Sequence, residues 1–424
     1  MAELDPAQQR RLGTLLTEND PAVARAVRQM DQDEIDALTR VEMNGRTRSD
    51  FARAYDSDSV DSDELATALK RYDELDSNGK QEFDELVDAA GDDGVWFVAG
   101  LDSDQTRRFL GLNCGRTSSV GAPADLHGDR YHAVDSPELE TLATAGCSDG
   151  LTDAEEGRFY SSVSEAAREN SDISRTNVIN KVESVQSGYR QDGLKRLFGD
   201  TGADGIRFVD QMDSSRRERF FDIGNNDAYA EADFNSIDKW RTKMTRAHRR
   251  DNIDDDAVNQ HIDDVAEAKN RDSITNPEKL MDETSDQPAK IPSQNGETAS
   301  AFRYADQEGS EVELEPVDGA YDLKVDNQYT GTDYVEVKTR LGDGEFNDDW
   351  VKRQLESVNK KFDEAGSTVS EDQSVLEVRT TEPKSELDSA EMAVNSAIDS
   401  YGGTVHAKEI RIVANDGTTR TVTV

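Results

Sequence analysis

The spacing of apolar residues changes once along this 424-residue chain, and no single-class fold accommodates both halves. Up to about residue 270, apolar side chains recur at every third or fourth position, as in Leu12, Leu15 and Leu16, then Val23, Val27 and Met30. That is the period of amphipathic helices. Beyond about residue 296 they alternate instead. Tyr321-Asp322-Leu323-Lys324-Val325 and Tyr334-Val335-Glu336-Val337-Lys338-Thr339-Arg340 read as strands with two unlike faces. The predicted fold class is therefore mixed: a helical, repeat-like N-terminal region over 1–270, with an internal break near 114–150, then a C-terminal α/β domain over 296–424. Between them, Asn276-Pro277, Gln287-Pro288 and Ile291-Pro292 sit among polar residues, and 271–295 reads as a linker.

Within the helical region one phrase recurs. An apolar residue precedes Asp, and another apolar residue follows seven positions on, at Met30-Asp31 with Leu38 and at Leu75-Asp76 with Phe83. Two longer copies run from Gly94-Val95-Trp96-Phe97-Val98 to Leu101-Asp102-Ser103, and from Gly205-Ile206-Arg207-Phe208-Val209 to Met212-Asp213-Ser214. The phrase predicts a helix end, an Asp N-cap and a new helix whose first buried contact lies two turns in. Stacked helical hairpins would follow. In the C-terminal domain, three strands, a helix over about 348–364, a strand, a second helix ended by Gly402-Gly403 and a closing hairpin around Asn415-Asp416-Gly417 are predicted.

Ninety acidic against 49 basic residues give a formal charge of −41. Dense carboxylates hydrate a surface, and at 1 M salt their repulsion is screened within about 3 Å. The expectation is a protein of a high-salt organism. Any attraction to phosphate must then come from local basic patches or a bound metal. Two cysteines give no disulfide framework, no apolar run has the length of a membrane span, and Met1-Ala2-Glu3-Leu4-Asp5-Pro6 does not read as a secretory leader. A chain made soluble in the cytoplasm is expected, leaving the cell, if it does, by a non-standard route.

On the second strand Val335 and Val337 share one face, Glu336 and Lys338 the other; on the first, Tyr321, Leu323 and Val325 are expected to oppose Asp322. If the strands pair as a hairpin, Asp322 and Glu336 converge beside Lys338. Two carboxylates suit a divalent cation and a neighbouring amine suits an attacking water, which is the apparatus of phosphodiester hydrolysis. The plain alternative is a solvated sheet face with an ordinary Glu/Lys pair.

The order Glu297 on a helix, Asp322 on a strand, Glu336-Val337-Lys338 on the next strand and Gln354 on the following helix resembles the PD-(D/E)XK nuclease superfamily, with Tyr321 where that family carries Pro. Within it, the layout looks most like the nuclease tips of contact-dependent growth-inhibition and related polymorphic toxins. The resemblance covers only about 295–424. It implies that Asp322, Glu336 and the Val337 carbonyl bind Mg²⁺ or Mn²⁺, that Glu297 is an outer ligand, and that Lys338 positions or polarises water. It implies RNA (tRNA included) or DNA as substrate, a cognate immunity or inhibitor protein, and delivery machinery engaged by the N-terminal region. Two other readings compete: a housekeeping endonuclease of the junction-resolvase kind, and a non-enzymatic helical interaction protein with a vestigial nuclease fold.

The helix after the motif carries Lys352, Arg353, Lys360 and Lys361, expected with Gln354 to contact a nucleic-acid backbone; pairing within the helix is the alternative. A second basic run, Lys239 to Arg250 around Trp240, is explained as well by helix-end electrostatics. Glu74 to Glu85 matches a calcium loop only in part and reads as a helix cap. Cys114, His127, His132 and Cys147 lack zinc-site spacing. Neither a nucleophile elbow, a P-loop nor a dinucleotide fingerprint is present.

Overall fold

The computed structural model describes residues 4–17, 20–57, 59–111, 151–185, 188–223, 234–248, 253–316, 320–340, 346–380 and 383–424. Among these are 19 α-helices and a seven-stranded mixed sheet, the sheet lying wholly in the C-terminal half. The four candidate Cys and His residues of 114–147, and the expected break there, lie outside the described residues.

The chain forms two compact units, Met1–Phe221 and Asp222–Val424. The first is helical, and Asp residues cap several of its helices. Asp31 accepts the N–H groups of Asp33 and Glu34, while Glu34 reaches back to the Asp31 N–H. Asp76, Asp102 and Asp213 accept from Gly79, Gln105 and Arg216, each at 2.8 Å. Every Asp of the recurring phrase is thus an N-cap, and residues 74–85 are a capped helix start. Gly91 and Gly202 stand at matching positions of the two longer copies with the same backbone (φ 56°, ψ −131°), which favours glycine and turns one helix directly into the next. Beyond each turn lie paired rings: Phe97 with Phe109 at 4.7 Å and Phe208 with Phe220 at 5.8 Å.

The second unit begins well before residue 270. Helices α1 (Phe234–Ala247) and α2 (Asp255–Ala268) belong to it, and α2 packs on α4 (Ile291–Ala305). The stretch read as a linker is built into the same unit. Ile274–Thr275 forms β1, parallel to β2 (Ser310–Leu314), and Lys279–Asp286 forms α3. Its prolines punctuate elements: Pro288 opens a 3₁₀ turn and Pro292 lies in the first turn of α4, where no amide donor is needed.

The sheet runs in chain order, β1 to β7. After β2 come β3 (Leu323–Asn327) and β4 (Gly331–Thr339), both antiparallel. Then β5 (Ser374–Arg379) and β6 (Glu409–Val413) follow in parallel, and β7 (Thr419–Thr423) closes antiparallel. The two parallel steps need crossovers, supplied by α5 (Asp348–Ala365) and α6 (Leu387–Ser400). Both pack on one face, burying Tyr334, Leu376, Val378, Ile410 and Ile412 against Val351, Leu355, Val358 and Val394. Helix α4 covers the other face, where Glu377 of β5 accepts hydrogen bonds from Ser300 (2.5 Å) and Tyr304 (2.7 Å) and pairs with Arg303. Glu377 is fully buried and this set of partners is what makes its charge tolerable there.

Candidate active site

Register brings the site together. Leu323 of β3 faces Val335 of β4, so one step further along the antiparallel pair sets Asp322 opposite Glu336. Val335 and Val337 lie on the α4 face; Glu336 and Lys338 lie on the face of α5 and α6. Tyr321 departs from expectation. It belongs with Tyr334 in the core under α5, its ring 5.8 Å from Tyr334 and its hydroxyl 2.9 Å from Ser374 Oγ. Leu323, paired with Val335, takes the opposite face. The alternation fails because β3 starts only at Leu323: residues 320–322 precede the strand, so Tyr321 is not held to its pleat.

The Lys338 ammonium is the hub. Nζ lies 2.5 Å from Glu336 Oε1, 3.7 Å from Asp322 Oδ2 and 3.1 Å from the Val337 carbonyl oxygen. Asp322 Oδ2 also accepts the Val337 N–H at 2.7 Å, which ties the loop before β3 to the E-x-K strand. Glu336 is fully buried, and its carboxyl is pushed above the ordinary value by burial first and by Asp322 second, against Lys338 and Lys361. For Lys338, burial acts against the charge, but Asp322, Glu336 and Glu297 outweigh it and hold the ammonium protonated.

A contributor invisible in the sequence comes from α5. Ser357 Oγ donates to Glu336 Oε1 at 3.2 Å, and the charge of Lys361 reaches the same carboxylate. Positions 354, 357 and 361 share one helix face at about 100° per residue. Gln354, however, turns its amide back onto the Trp350 carbonyl at 3.0 Å. The expected basic surface is accordingly divided. Lys352 lies near Asp348 (3.6 Å), Lys360 pairs with Glu364 (3.4 Å), and Arg353 is exposed. Of these four cations, Lys361 is the one whose charge acts on Glu336. In the earlier basic run, Trp240 and Arg241 are buried, Arg241 donating to the Ile223 carbonyl at 2.9 Å, whereas Lys239 and Arg246 are exposed, and Arg249 and Arg250 lie outside the described residues. His261, with burial pushing it down to about 4, packs near Trp240 and Thr284 as a core residue.

Glycine places α4. A Cβ on Gly296 would lie 1.9 Å from Thr339 Oγ1, so the helix approaches the end of β4 as only glycine allows. Its neighbour Glu297 is thereby close enough for its charge to act on Lys338.

The donor set is two carboxylates and a carbonyl, all hard oxygens. Glu336 Oε2 is buried without a hydrogen-bond partner, an arrangement that a cation would satisfy. Among the described residues no group of three or more His, Cys, Asp or Glu side chains converges, so Glu297 does not complete a protein cage. Such a set fits Mg²⁺ or Mn²⁺, which take one or two carboxylates with water and phosphate oxygens, and does not fit a structural zinc site. No protein family, curated protein or solved structure matches this chain.

Proposed function

We propose that the C-terminal unit is a metal-dependent nuclease that hydrolyses phosphodiester bonds in RNA, tRNA included, or DNA. The observation that carries this reading is the meeting of Asp322 and Glu336 across two antiparallel strands on one ammonium, with a buried carboxylate oxygen left over. The element order also supports it: a helix bearing Glu297, a strand entered from Asp322, the E-x-K strand, then a helix, as in a restriction-endonuclease-like domain. Mg²⁺ or Mn²⁺, held by Asp322, Glu336 and the Val337 carbonyl, would supply Lewis acidity toward a phosphoryl oxygen. Lys338 donates hydrogen bonds toward the attacking water and the developing negative charge, in a pocket where burial strengthens both. Ser357 fixes the rotamer of Glu336. Lys361 is the cation best placed to meet a backbone phosphate.

The same proposal assigns the helical unit, with its capped and partly repeated hairpins, to delivery, packing or partner binding, and gives the producing cell an inhibitor protein. A net charge of −41 suits an enzyme that reaches nucleic acid through a local site, not a global field. The test uses the full chain with Mg²⁺ on total tRNA and on plasmid. Cleavage lost in Glu336→Gln and in Lys338→Met, with the fold retained by circular dichroism, supports the reading. Cleavage unchanged in both variants removes it.

A further inference from the structure

The three oxygens around the Lys338 ammonium are the three that the proposed function gives to the metal. Nζ contacts Glu336 Oε1 at 2.5 Å and the Val337 carbonyl at 3.1 Å, with Asp322 Oδ2 at 3.7 Å. Divalent metals of this class bind oxygen at about 2.0–2.1 Å. A cation on those oxygens and an ammonium on the same ones would sit nearly in contact, and like charges at that distance repel strongly in a buried site. A second charged cluster of this unit, at the β6 end of the sheet, differs. Around Arg411, the guanidinium meets Tyr304, Asp333 and Glu409, and Lys408 also pairs with Asp333, so carboxylates and cations are matched there as a structural network requires. At Glu336 one carboxylate oxygen has nothing.

We propose that the Lys338 ammonium occupies the cation position and must swing out of it before metal binds, so that this lysine holds metal affinity down while it serves cleavage. The inference rests on the reading of Asp322 and Glu336 as metal ligands. The motion is available: the Lys338 side chain keeps 27% of its surface exposed and ends a flexible four-carbon stem. Glu297 follows Gly296, which packs against Thr339 next to Lys338, and its charge acts on the ammonium from α4, which makes it the proposed acceptor toward which the ammonium moves. The lysine is thereby both a plug in the metal-free protein and, once displaced, a donor on the substrate side.

The experiment measures Mn²⁺ affinity of the full chain by the electron paramagnetic resonance of free Mn²⁺, without nucleic acid and at fixed ionic strength. Lys338→Met is expected to bind Mn²⁺ at least about tenfold more tightly than wild type, or about 1.4 kcal/mol, although it does not cleave. Glu297→Gln is expected to weaken binding, because the displaced ammonium loses its acceptor. Lys361→Met removes a second cation whose field reaches Glu336. Equal gains from Lys338→Met and Lys361→Met would show a general charge effect and overturn displacement. A wild-type chain that binds Mn²⁺ while Lys338→Met binds no more tightly overturns this inference alone. Absence of binding in wild type and every variant overturns the metal-site reading with it. Should Lys338→Met fail to fold, a crystal structure of the wild-type chain with Mn²⁺ decides: Nζ still against Glu336 Oε1 beside bound metal refutes the inference, and Nζ moved toward Glu297 supports it.

Discussion

The contact between Glu336 and Lys338 is testable without any assumption about activity, by a double-mutant cycle on stability. At 2.5 Å, two unit charges attract by about 7 kcal/mol at an effective dielectric of about 20. Desolvation of a fully buried carboxylate offsets much of that. Lys338→Met leaves Glu336 charged in the core with Ser357 as a remaining donor, and should cost about 3–5 kcal/mol, the range for breaking a buried pair from one side. Glu336→Gln keeps shape and the acceptor for Ser357, and the ammonium keeps Asp322 and the Val337 carbonyl. Its cost should be about 1.5–3 kcal/mol. The double variant removes both charges and so escapes the penalty of an isolated carboxylate, which gives a coupling of about 2–4 kcal/mol.

Hydrogen exchange by mass spectrometry on peptides covering β4 and β5 reads these changes in the C-terminal unit separately from the helical one, as a single melting curve of a two-unit chain cannot. At pH 8 the cost of Lys338→Met should be at its fullest. It should shrink as pH falls, because the Glu336 carboxyl, already raised by burial, then takes a proton in place of the missing ammonium. Additivity of the two single variants within about 0.5 kcal/mol would mean that the groups do not touch. The shared site would then not exist.

Three further outcomes follow from neighbouring features. Gly296→Leu forces α4 off Thr339 and should cost about 1–3 kcal/mol through overpacking, with a larger fractional loss of the proposed nuclease activity than of folded protein at 20 °C; equal losses would show that helix placement does not matter to the site. Asp264 on α2 is buried and its carboxyl is pushed from 3.8 up to about 7 by burial, against a hydrogen bond from Gln260. The folded state therefore binds a proton that the unfolded state has lost. Stability from this group is present below about pH 4 and declines as pH rises toward 7, by about 4 kcal/mol at most; Asp264→Asn should flatten that slope in urea titrations at pH 4.5 and 7.5, and an unchanged slope refutes the assignment. The charge of −41 predicts a melting temperature that rises between 0.15 M and 2 M KCl as repulsion is screened; a flat or falling profile by calorimetry contradicts adaptation to salt.

What the sequence revealed of the site is what strict alternation encodes. Val335, Glu336, Val337 and Lys338 all lie within one continuous strand, so their faces follow from parity. Asp322 opposite Glu336 follows from hairpin pairing. Tyr321 could not be placed by the same rule, because parity holds only where the ladder constrains the backbone, and that constraint begins one residue beyond Asp322. Ser357 was hidden for a different reason: its meeting with Glu336 depends on how α5 crosses the sheet, a tertiary quantity that helical periodicity does not specify. The stretch 271–295 was misread by composition. Its prolines stand at element starts, where their fixed φ is favourable, and Ile274-Thr275 is too short a strand to show a period of two.

The acidic surface and the buried pair place opposite demands on the proposed metal site. A field of −41 concentrates divalent cations near the whole chain, so raw metal attraction is not scarce, and carboxylate oxygens alone would fill with any hard cation. An ammonium lodged among Asp322, Glu336 and the Val337 carbonyl raises the threshold for entry at this one place. It also stabilises a buried carboxylate that would otherwise be protonated or force local opening. On that view Lys338 supports the fold in the metal-free protein and chemistry in the loaded one, and no single neutral replacement keeps both. Norleucine at 338, which keeps the four-carbon stem and lacks the ammonium, separates them. It should retain the packing of the stem, destabilise β4 at pH 8 as methionine does, recover stability on addition of Mn²⁺, and remain unable to cleave. Recovery of cleavage with norleucine would show that the ammonium is not needed at the reacting phosphate, and the proposed role of Lys338 in the reaction would fail while its role as a plug stood.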